Sequence, residues 1–499
     1  MKRKGTILVI LIYLCCYYSH GQQRYDYTWT IGYSHVKLLS SGYMQGGILM
    51  DFNQGSEPTF SLQSFLTSIP QAAICNTQGM LVAYTDGCNI YNRDHQIMSG
   101  GASLNPGSAF LDFCNNSLGY ALWQGDVFLP SPAHPNQYYL FHLRKDNKLW
   151  NPVNILYSVV DATGANGKGK VLEKNKVVLS DSIWLSDYIT ATRHANGRDW
   201  WIVAPQRFKT GYHVCLLTSQ GVEYKGLQNI GYTTEQVYGA QIAFSPDGSK
   251  FFKHWPEGVQ ILDFDRCSGQ FSNPYYLYLP INGSGGVAVS PSGQYLYLSK
   301  PSLVYQYDLW ANDLSGSRQT IATYDGFESP FPATFFQMQL APNGKIYMNC
   351  TNGNNVLHVI NHPDLPGLAC DLIPHGVTLP AMTDYIFINI PHYRLGALAG
   401  SPCDSTTSAV HHPTLAPDGI DFYPNPASDE VVFEKLTEQT ASAARVRLFS
   451  LTGAFLYEQD FPAGAMTTRL RVRHLPAGTY FWEIRWEDGR RTAGRLQKG

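Results

Sequence analysis

Little of this 499-residue sequence is charged: Asp, Glu, Lys and Arg together make up 15% of it. Neither sign prevails, with 36 Lys and Arg against 38 Asp and Glu, so the chain lacks the basic surplus with which non-specific nucleic-acid binders neutralise phosphates. DNA and RNA are therefore excluded as partners. Long apolar runs are also missing. Beyond the first residues nothing approaches the ~20 apolar residues that a bilayer-spanning helix needs, so no transmembrane segment is expected in the mature chain. The sequence has no CxxC, no cysteine with histidine at zinc-finger spacing, no HExxH and no Walker loop, and no GxSxG elbow is followed by a plausible triad order. No catalytic, cofactor or metal residue is named on this basis.

What is present points to a folded β protein. The chain is 44% hydrophobic and 13% aromatic, with 45 Gly, 29 Pro, 32 Tyr and 24 Phe, a composition of many short strands joined by turns. Its length exceeds what one core usually serves, so two or more domains, or one large repeat domain with an appendage, are expected. Lys2, Arg3 and Lys4 precede a short apolar run from Thr6 to Leu14, and Ser19 and Gly21 suit a cleavage site, so residues 1–21 read as a secretory signal peptide. Cys15 and Cys16 lack the small residues a lipobox prefers before them. Eight cysteines then remain, an even number that permits disulfides whose pairing the sequence does not assign.

A repeated word dominates the middle of the chain: an apolar strand, a turn ending in Gly, then a strand rich in aromatic and β-branched residues. It reads Ala243-Phe-Ser-Pro-Asp-Gly-Ser-Lys-Phe-Phe252, Ala288-Val-Ser-Pro-Ser-Gly-Gln-Tyr-Leu-Tyr297 and Leu340-Ala-Pro-Asn-Gly-Lys-Ile-Tyr-Met348. Weaker copies align on Gly79, Asn136 and Gly197, and with Gly248, Gly293 and Gly344 the intervals are 57, 61, 51, 45 and 51 residues. Pro sets φ early in such a turn, and Asn or Asp before Gly tolerates the left-handed region that closes a hairpin. A period near 50 residues matches the four-stranded blade of a β-propeller. Six copies are visible, and a seventh blade is expected from the two ends, with residues around Trp29 to Phe52 pairing with Tyr385 to Tyr393. The expectation is seven blades over residues 22–396, with six and eight as alternatives.

Several words here, among them Tyr84-Thr-Asp-Gly87, Arg193-His-Ala-Asn-Gly197, Asp263-Phe-Asp-Arg-Cys-Ser-Gly269 and Val359-Ile-Asn-His-Pro-Asp364, resemble those of large exported propeller proteins of Bacteroidetes with WD40-like or lactonase-like repeats. The resemblance implies the fold and assigns no activity.

Residues 397–418 have the Ser, Thr, Pro and small-residue composition of a linker. Beyond it the composition changes: 21 of the last 81 residues are charged, against 53 of the 418 before them. Short alternating strands such as Ala444-Arg-Val-Arg-Leu-Phe-Ser450 and Thr468-Arg-Leu-Arg-Val472 predict a small Ig-like β-sandwich over 419–499. Its Arg-rich face reads either as a solvated surface or as a site for an anionic partner. The words Phe422-Tyr-Pro-Asn-Pro-Ala427, Leu448-Phe-Ser-Leu-Thr-Gly453 and Leu475-Pro-Ala-Gly-Thr-Tyr480, with the basic end Arg495-Leu-Gln-Lys498, are similar to the type A C-terminal sorting domain of the Bacteroidetes type IX secretion system. That resemblance makes Tyr423, Pro424, Asn425, Pro426, Gly453, Gly478, Tyr480 and Lys498 the sorting-signal residues. It implies Sec export to the periplasm, recognition by the outer-membrane translocon, cleavage by a sortase-like peptidase, and a product released or held at the outer cell surface.

Candidate chemistry is sparse. Asp247 and Asp418 precede Gly in turns, where geometry explains them, and Asp263-Phe-Asp265 offers two carboxylates where calcium needs more. Loose calcium binding stays open. His134, His142, His194, His213, His254, His358, His362, His375 and His392 are open to convergence on a central channel, and Trp184, Trp200, Trp201 and Trp255 to stacking on sugars. The expected function is binding of a protein or glycan ligand through the loops of one face. A hydrolase or lyase with its site at the channel, and a structural component of a surface assembly, are the alternatives.

Overall fold

The structure is a computed structural model. It describes residues 23–65, 72–116, 119–120, 122–146, 151–180, 185–233, 240–279, 283–403, 420–435, 443–450, 454–476, 478–487 and 491–498. The signal peptide, the body of the linker, Trp184, His411, His412, Asp418 and Gly453 lie outside the described residues. The chain divides into two compact units, residues 1–406 and 407–499.

Unit one consists of seven antiparallel sheets taken in chain order, with the first strands of successive sheets packed side by side. It is a seven-bladed propeller. Those inner strands are Thr28–Leu38, Ala72–Cys75, Asp126–Pro130, Thr190–Arg193, Gln241–Phe244, Val287–Val289 and Phe335–Leu340, and blades 1 to 7 are numbered by them. Blades 3 to 7 have four strands each, blades 1 and 2 three. The repeated word falls on the turn between the first and second strands of blades 2 to 7. In five of them the turn closes with one bond, from the N–H of Gly79, Gly197, Gly248, Gly293 or Gly344 to the carbonyl three residues earlier, and each of these glycines has φ between 72° and 88°. At that φ a side chain would be strained, so the turn requires the glycine.

Blade 1 differs from the expectation. It does not combine both ends of the chain: Thr28–Leu38 pairs with Met44–Asp51, which pairs with Thr59–Gln63. The ring closes instead through one parallel bridge, Gln45 to Met382, and a few polar contacts. The Met382 N–H donates to the Met44 carbonyl at 2.9 Å, the Asn343 amide to the Ser56 carbonyl at 3.0 Å, and Lys345 pairs with Glu57. The segment from Tyr385 to Tyr393, expected as a blade strand, has another place, described below.

Each blade-to-blade seam is apolar. Aromatic rings interlock across seams, as in Tyr212, Phe251, Phe264 and Phe271, because alternating side chains of flat sheets meet face to face. Two disulfides are formed, Cys88–Cys114 and Cys267–Cys403, while Cys75, Cys215, Cys350 and Cys370 are free and buried.

Unit two packs a three-stranded sheet and a four-stranded sheet around Val431, Phe433, Val446, Leu448, Leu470, Trp482, Ile484 and Leu496. It includes two strands beyond those expected, Ile420–Tyr423 and Arg491–Lys498. Its outward arginines are met by acids: Arg445 reaches Glu458 at 3.2 Å, Arg447 reaches Glu458 at 3.3 Å, Arg469 reaches Glu430 at 3.0 Å and Arg485 reaches Glu483 at 2.8 Å. Arg445 and Arg469 are well exposed, and surface pairs of that kind add ~0–1 kcal/mol each.

Candidate functional site

The inner strands of a propeller surround a channel, and here the chain's own C-terminal extension fills it. After the last strand of blade 7, the Phe387 N–H donates to Gln337 Oε1 at 2.8 Å and the Gln339 amide donates to the Ile390 carbonyl at 3.1 Å, so the segment runs parallel to the inner strand of blade 7. Asn389 lies at the centre. Its amide donates to the Asp126 and Ile189 carbonyls, both at 2.8 Å, and its oxygen accepts from Gln124 at 2.9 Å. The Tyr393 hydroxyl donates to the Phe128 carbonyl at 2.7 Å. Phe387, Ile388, Ile390 and Tyr393 are buried, each burial adding ~1.5–3 kcal/mol.

Side-chain amides carry this closure because each presents both a donor and an acceptor to edges of backbone that no strand pairs. Gln241 Oε1 accepts the Val287 and Met338 N–H groups at 3.0 Å each, and its amide donates to the Met338 carbonyl at 2.6 Å. Gln124 bonds both polar groups of Ile242 at 3.0 Å. The plug leaves at the face bearing the repeated turns. There Arg394 pairs with buried Asp26 at 2.5 Å, Arg193 donates to the Tyr393 carbonyl at 3.1 Å, and Arg266 donates to the Gly396 carbonyl at 2.5 Å. The Cys267–Cys403 bond follows at once.

What remains of the channel is a cavity of about 60 Å³ beside Gln241, Val287, Met338, Ile390 and His392. Small-molecule sites usually have ~300–1,000 Å³. This space is smaller than that range. The histidines do not converge: of those named, His392 alone lines this cavity. His142 is buried between Asn105 at 2.6 Å and Ser158 at 3.0 Å, and burial holds its pKa down at about 3.

One histidine has a cysteine beside it. His358 Nε2 lies 3.5 Å from Cys350 Sγ, but His358 Nδ1 accepts the His375 N–H at 2.9 Å. That bond fixes the tautomer with the proton on Nε2, so the ring donates to sulfur and cannot take its proton. Burial pushes the Cys350 thiol up to about 12 and the His358 imidazole down to about 4, the reverse of an activated nucleophile. Asp247 closes its own turn, accepting from the Ser249 N–H at 3.1 Å and hydroxyl at 2.8 Å. Asp263 pairs with Lys250 at 2.7 Å, and Asp265 accepts the Cys267 N–H at 2.8 Å, so neither carboxylate of that pair is spare. Among the described residues no group of three or more His, Cys, Asp or Glu is placed to hold a metal.

Trp200 and Trp201 belong to the core: Trp200 lies beneath Arg193, whose guanidinium is 3.9 Å from the ring centroid, and Trp201 Nε1 donates to the Arg266 carbonyl at 2.7 Å. Trp255 is stacked under Tyr276 at 5.2 Å. At the face where the plug enters, sequence reasoning missed an aromatic group. Tyr385 is 40% exposed, with its ring 5.2 Å from half-buried Trp123, which meets Phe336 at 6.2 Å. Asp384 stands beside them, its pKa raised to about 6 by burial despite the Tyr385 N–H donated to it at 2.6 Å. Asn349 holds this stretch by donating to the Asp384 and Tyr385 carbonyls. Trp123 precedes blade 3 and Tyr385 follows blade 7, so only the plug brings them together.

In unit two Asn425, Gly478 and Tyr480 lie against the last strand. Asn425 Oδ1 accepts the Gln497 N–H at 2.7 Å, and its amide donates to the Arg495 carbonyl at 3.4 Å. Gly478 pairs with Lys498. The Tyr480 hydroxyl donates to the Pro476 carbonyl at 2.8 Å, and the Tyr423 hydroxyl to Glu434 at 2.9 Å. Pro424 and Pro426 flank Asn425 in the turn. Gly453 is outside the described residues.

No curated protein matches the sequence. Among solved structures, a protein of Lactobacillus plantarum is similar at 13% identity over 89% of this chain and 99% of its own, with a TM-score of 0.37. The extracellular domain of a putative hybrid two component system from B. thetaiotaomicron is similar at 10% identity over 94% of this chain and 57% of its own, TM-score 0.40. Kuenenia stuttgartiensis hydrazine synthase is similar at 14% identity over 69% and 98%, TM-score 0.39. The fold assignment rests on the seven sheets. Residues 421–496 match the family described as secretion system C-terminal sorting domain. The C-terminal unit is a sorting domain of the type IX secretion system, and through it this propeller protein engages the secretion machinery and is delivered to the cell surface or the extracellular space.

Proposed function

We propose that the protein is an exported binding propeller that captures a protein or glycan ligand on the face where the plug enters, around Trp123, Phe336, Tyr385 and Asp384. The observation that supports this most is the pairing of exposed Tyr385 and half-buried Trp123, backed by buried Phe336, with a channel closed by the chain itself. Aromatic rings with one wet face and a neighbouring acceptor suit sugar rings and protein anchors alike. The plug holds them at fixed positions before any ligand arrives, which lowers the entropy cost of binding. In this reading residues 1–21 direct Sec export, the outer-membrane translocon recognises the tail, and a sortase-like peptidase removes it.

The test is capture of envelope glycans and surface proteins by the mature propeller, compared with Tyr385→Ala and Trp123→Ala. Both positions are partly exposed, so the variants keep the fold. Binding is expected to fall at least ~10-fold in either, the loss of ~1.4 kcal/mol of contact. Equal binding by wild type and both variants would place the ligand elsewhere.

A further inference from the structure

Where the plug enters, hydrogen-bond acceptors outnumber donors. Asn349, fully buried near the end of the strand Ile346–Cys350, holds the incoming chain by donating to the Asp384 and Tyr385 carbonyls at 3.4 and 3.0 Å. Its own oxygen has no partner among the described residues. Half-buried Asp384 accepts a single bond, on Oδ1 from the Tyr385 N–H, and no Lys, Arg or His among the described residues pairs with it. Burial raises its pKa to about 6, so at neutral pH it carries a charge that no described residue neutralises.

Two accessible rings adjoin that charge. Tyr385 follows Asp384 directly, and the carboxylate adds to burial in raising the pKa of its phenol, so charge and ring are close. Tyr385 is 40% exposed, and half-buried Trp123 meets it at 5.2 Å with a tilt of 53°. Phe336 is buried and only backs Trp123, at 6.2 Å and 77°. Rings inclined to one another make two walls, which serve a small cation better than a broad sugar ring, because cation–π attraction needs only a ring face within ~6 Å of the charge. The carboxylate repels an anion. An ammonium brings three donors to a place short of them, and a lysine side chain carries it on a thin apolar stem that can lie along a ring.

We propose that this face recognises the side-chain ammonium of a lysine on a protein ligand, with Asp384 opposing its charge and Tyr385 and Trp123 presenting ring faces to it. The proposal rests on the reading of this face as the ligand site and narrows the ligand to a protein that displays lysine. It is tested by titrating the full chain at neutral pH with Nα-acetyl-lysine amide, with the same compound acetylated on Nζ, and with glucosamine. Wild type is expected to bind the charged lysine ~10-fold or more tightly than its acetylated form, as loss of a charged hydrogen bond predicts, and more tightly than glucosamine. Asp384→Asn, which keeps an acceptor for the Tyr385 N–H, is expected to lose that preference. Tyr385→Leu weakens binding of the charged lysine ~2- to 5-fold and Tyr385→Phe does not, because the ring and not the hydroxyl meets the cation. Unchanged melting temperatures establish that the variants fold. Equal binding of the two lysine compounds, tighter binding of glucosamine, or an undiminished preference in Asp384→Asn would each overturn the proposal. The ligand site itself is judged separately, by capture with Tyr385→Ala: capture lost in that variant, beside indifference to the lysine charge, would keep the aromatic face and reject the ammonium.

Discussion

Asp126 is a buried carboxyl at the start of blade 3's first strand. Its carboxylate is 1% exposed, neither oxygen has a hydrogen-bond partner, and burial together with the charge of Asp86 raises its pKa well above the usual carboxylate value. The sign of the consequence follows by linkage. The native state holds this proton more tightly than the unfolded chain does, so stability is highest below the unfolded pKa of ~3.9 and declines as pH rises towards the raised native value. Asp126→Asn removes that decline. The variant is expected to be more stable than wild type at pH 7 by ~1–3 kcal/mol, with the difference vanishing near pH 3. Urea melts of both proteins at several pH values measure it, and a pH-independent difference would contradict the assignment. The free thiols give a second check at this scale. Cys75, Cys215, Cys350 and Cys370 are buried, and burial pushes the first three up to about 12, so alkylation at pH 8 is expected only after denaturation. Labelling of the native protein at any of them, read by mass spectrometry, would show that its site opens.

At the scale of elements the plug is decisive, and it is also what the sequence concealed. The blades were legible because a hairpin turn is local chemistry: Pro-Asp-Gly at 246–248 and Pro-Asn-Gly at 342–344 state their turns within a few residues. The strand pattern in Phe387-Ile-Asn-Ile390 was legible as well, and suggested a blade edge. Its partners are side-chain amides from Gln124, Gln337 and Gln339, each far away in sequence, and no spacing rule connects them. The aromatic face was invisible for the same reason, since Trp123 and Tyr385 meet only through the plug. Asn389 tests this element. Replacing it with Ala removes three bonds and leaves the Gln124 amide and two buried carbonyls short of partners, a cost of ~2–4 kcal/mol. The variant is expected to unfold at lower denaturant, and the loss of ordering should appear first as faster amide exchange over residues 385–394. Exchange as slow as in wild type would show that the segment is held by its apolar side chains alone. Cys403→Ser, which opens a closure spanning 136 residues, is expected to weaken the same segment and leave blades 2 and 3 unchanged.

At the scale of the molecule, the scarcity of charge is an average over two unlike units, and their separation makes the export assignment testable. The propeller has cores built on residues such as Trp29, Tyr212 and Leu296, and the tail has its own core around Trp482. The last fixed point of the propeller is Cys403, before the tail begins. Deleting residues 419–499 removes the sorting domain and leaves the seven sheets of the propeller complete. The shortened chain is expected to fold with an unchanged melting temperature and both disulfides, and to accumulate in the periplasm. Fractionation of cells expressing the two forms, with protease accessibility as the measure of surface exposure, separates the outcomes. Folded protein retained inside supports the tail as the export signal, whereas undiminished surface exposure of the shortened chain would refute it. A melting transition lowered by the deletion would show instead that the tail supports the propeller, and that retention then reflects misfolding.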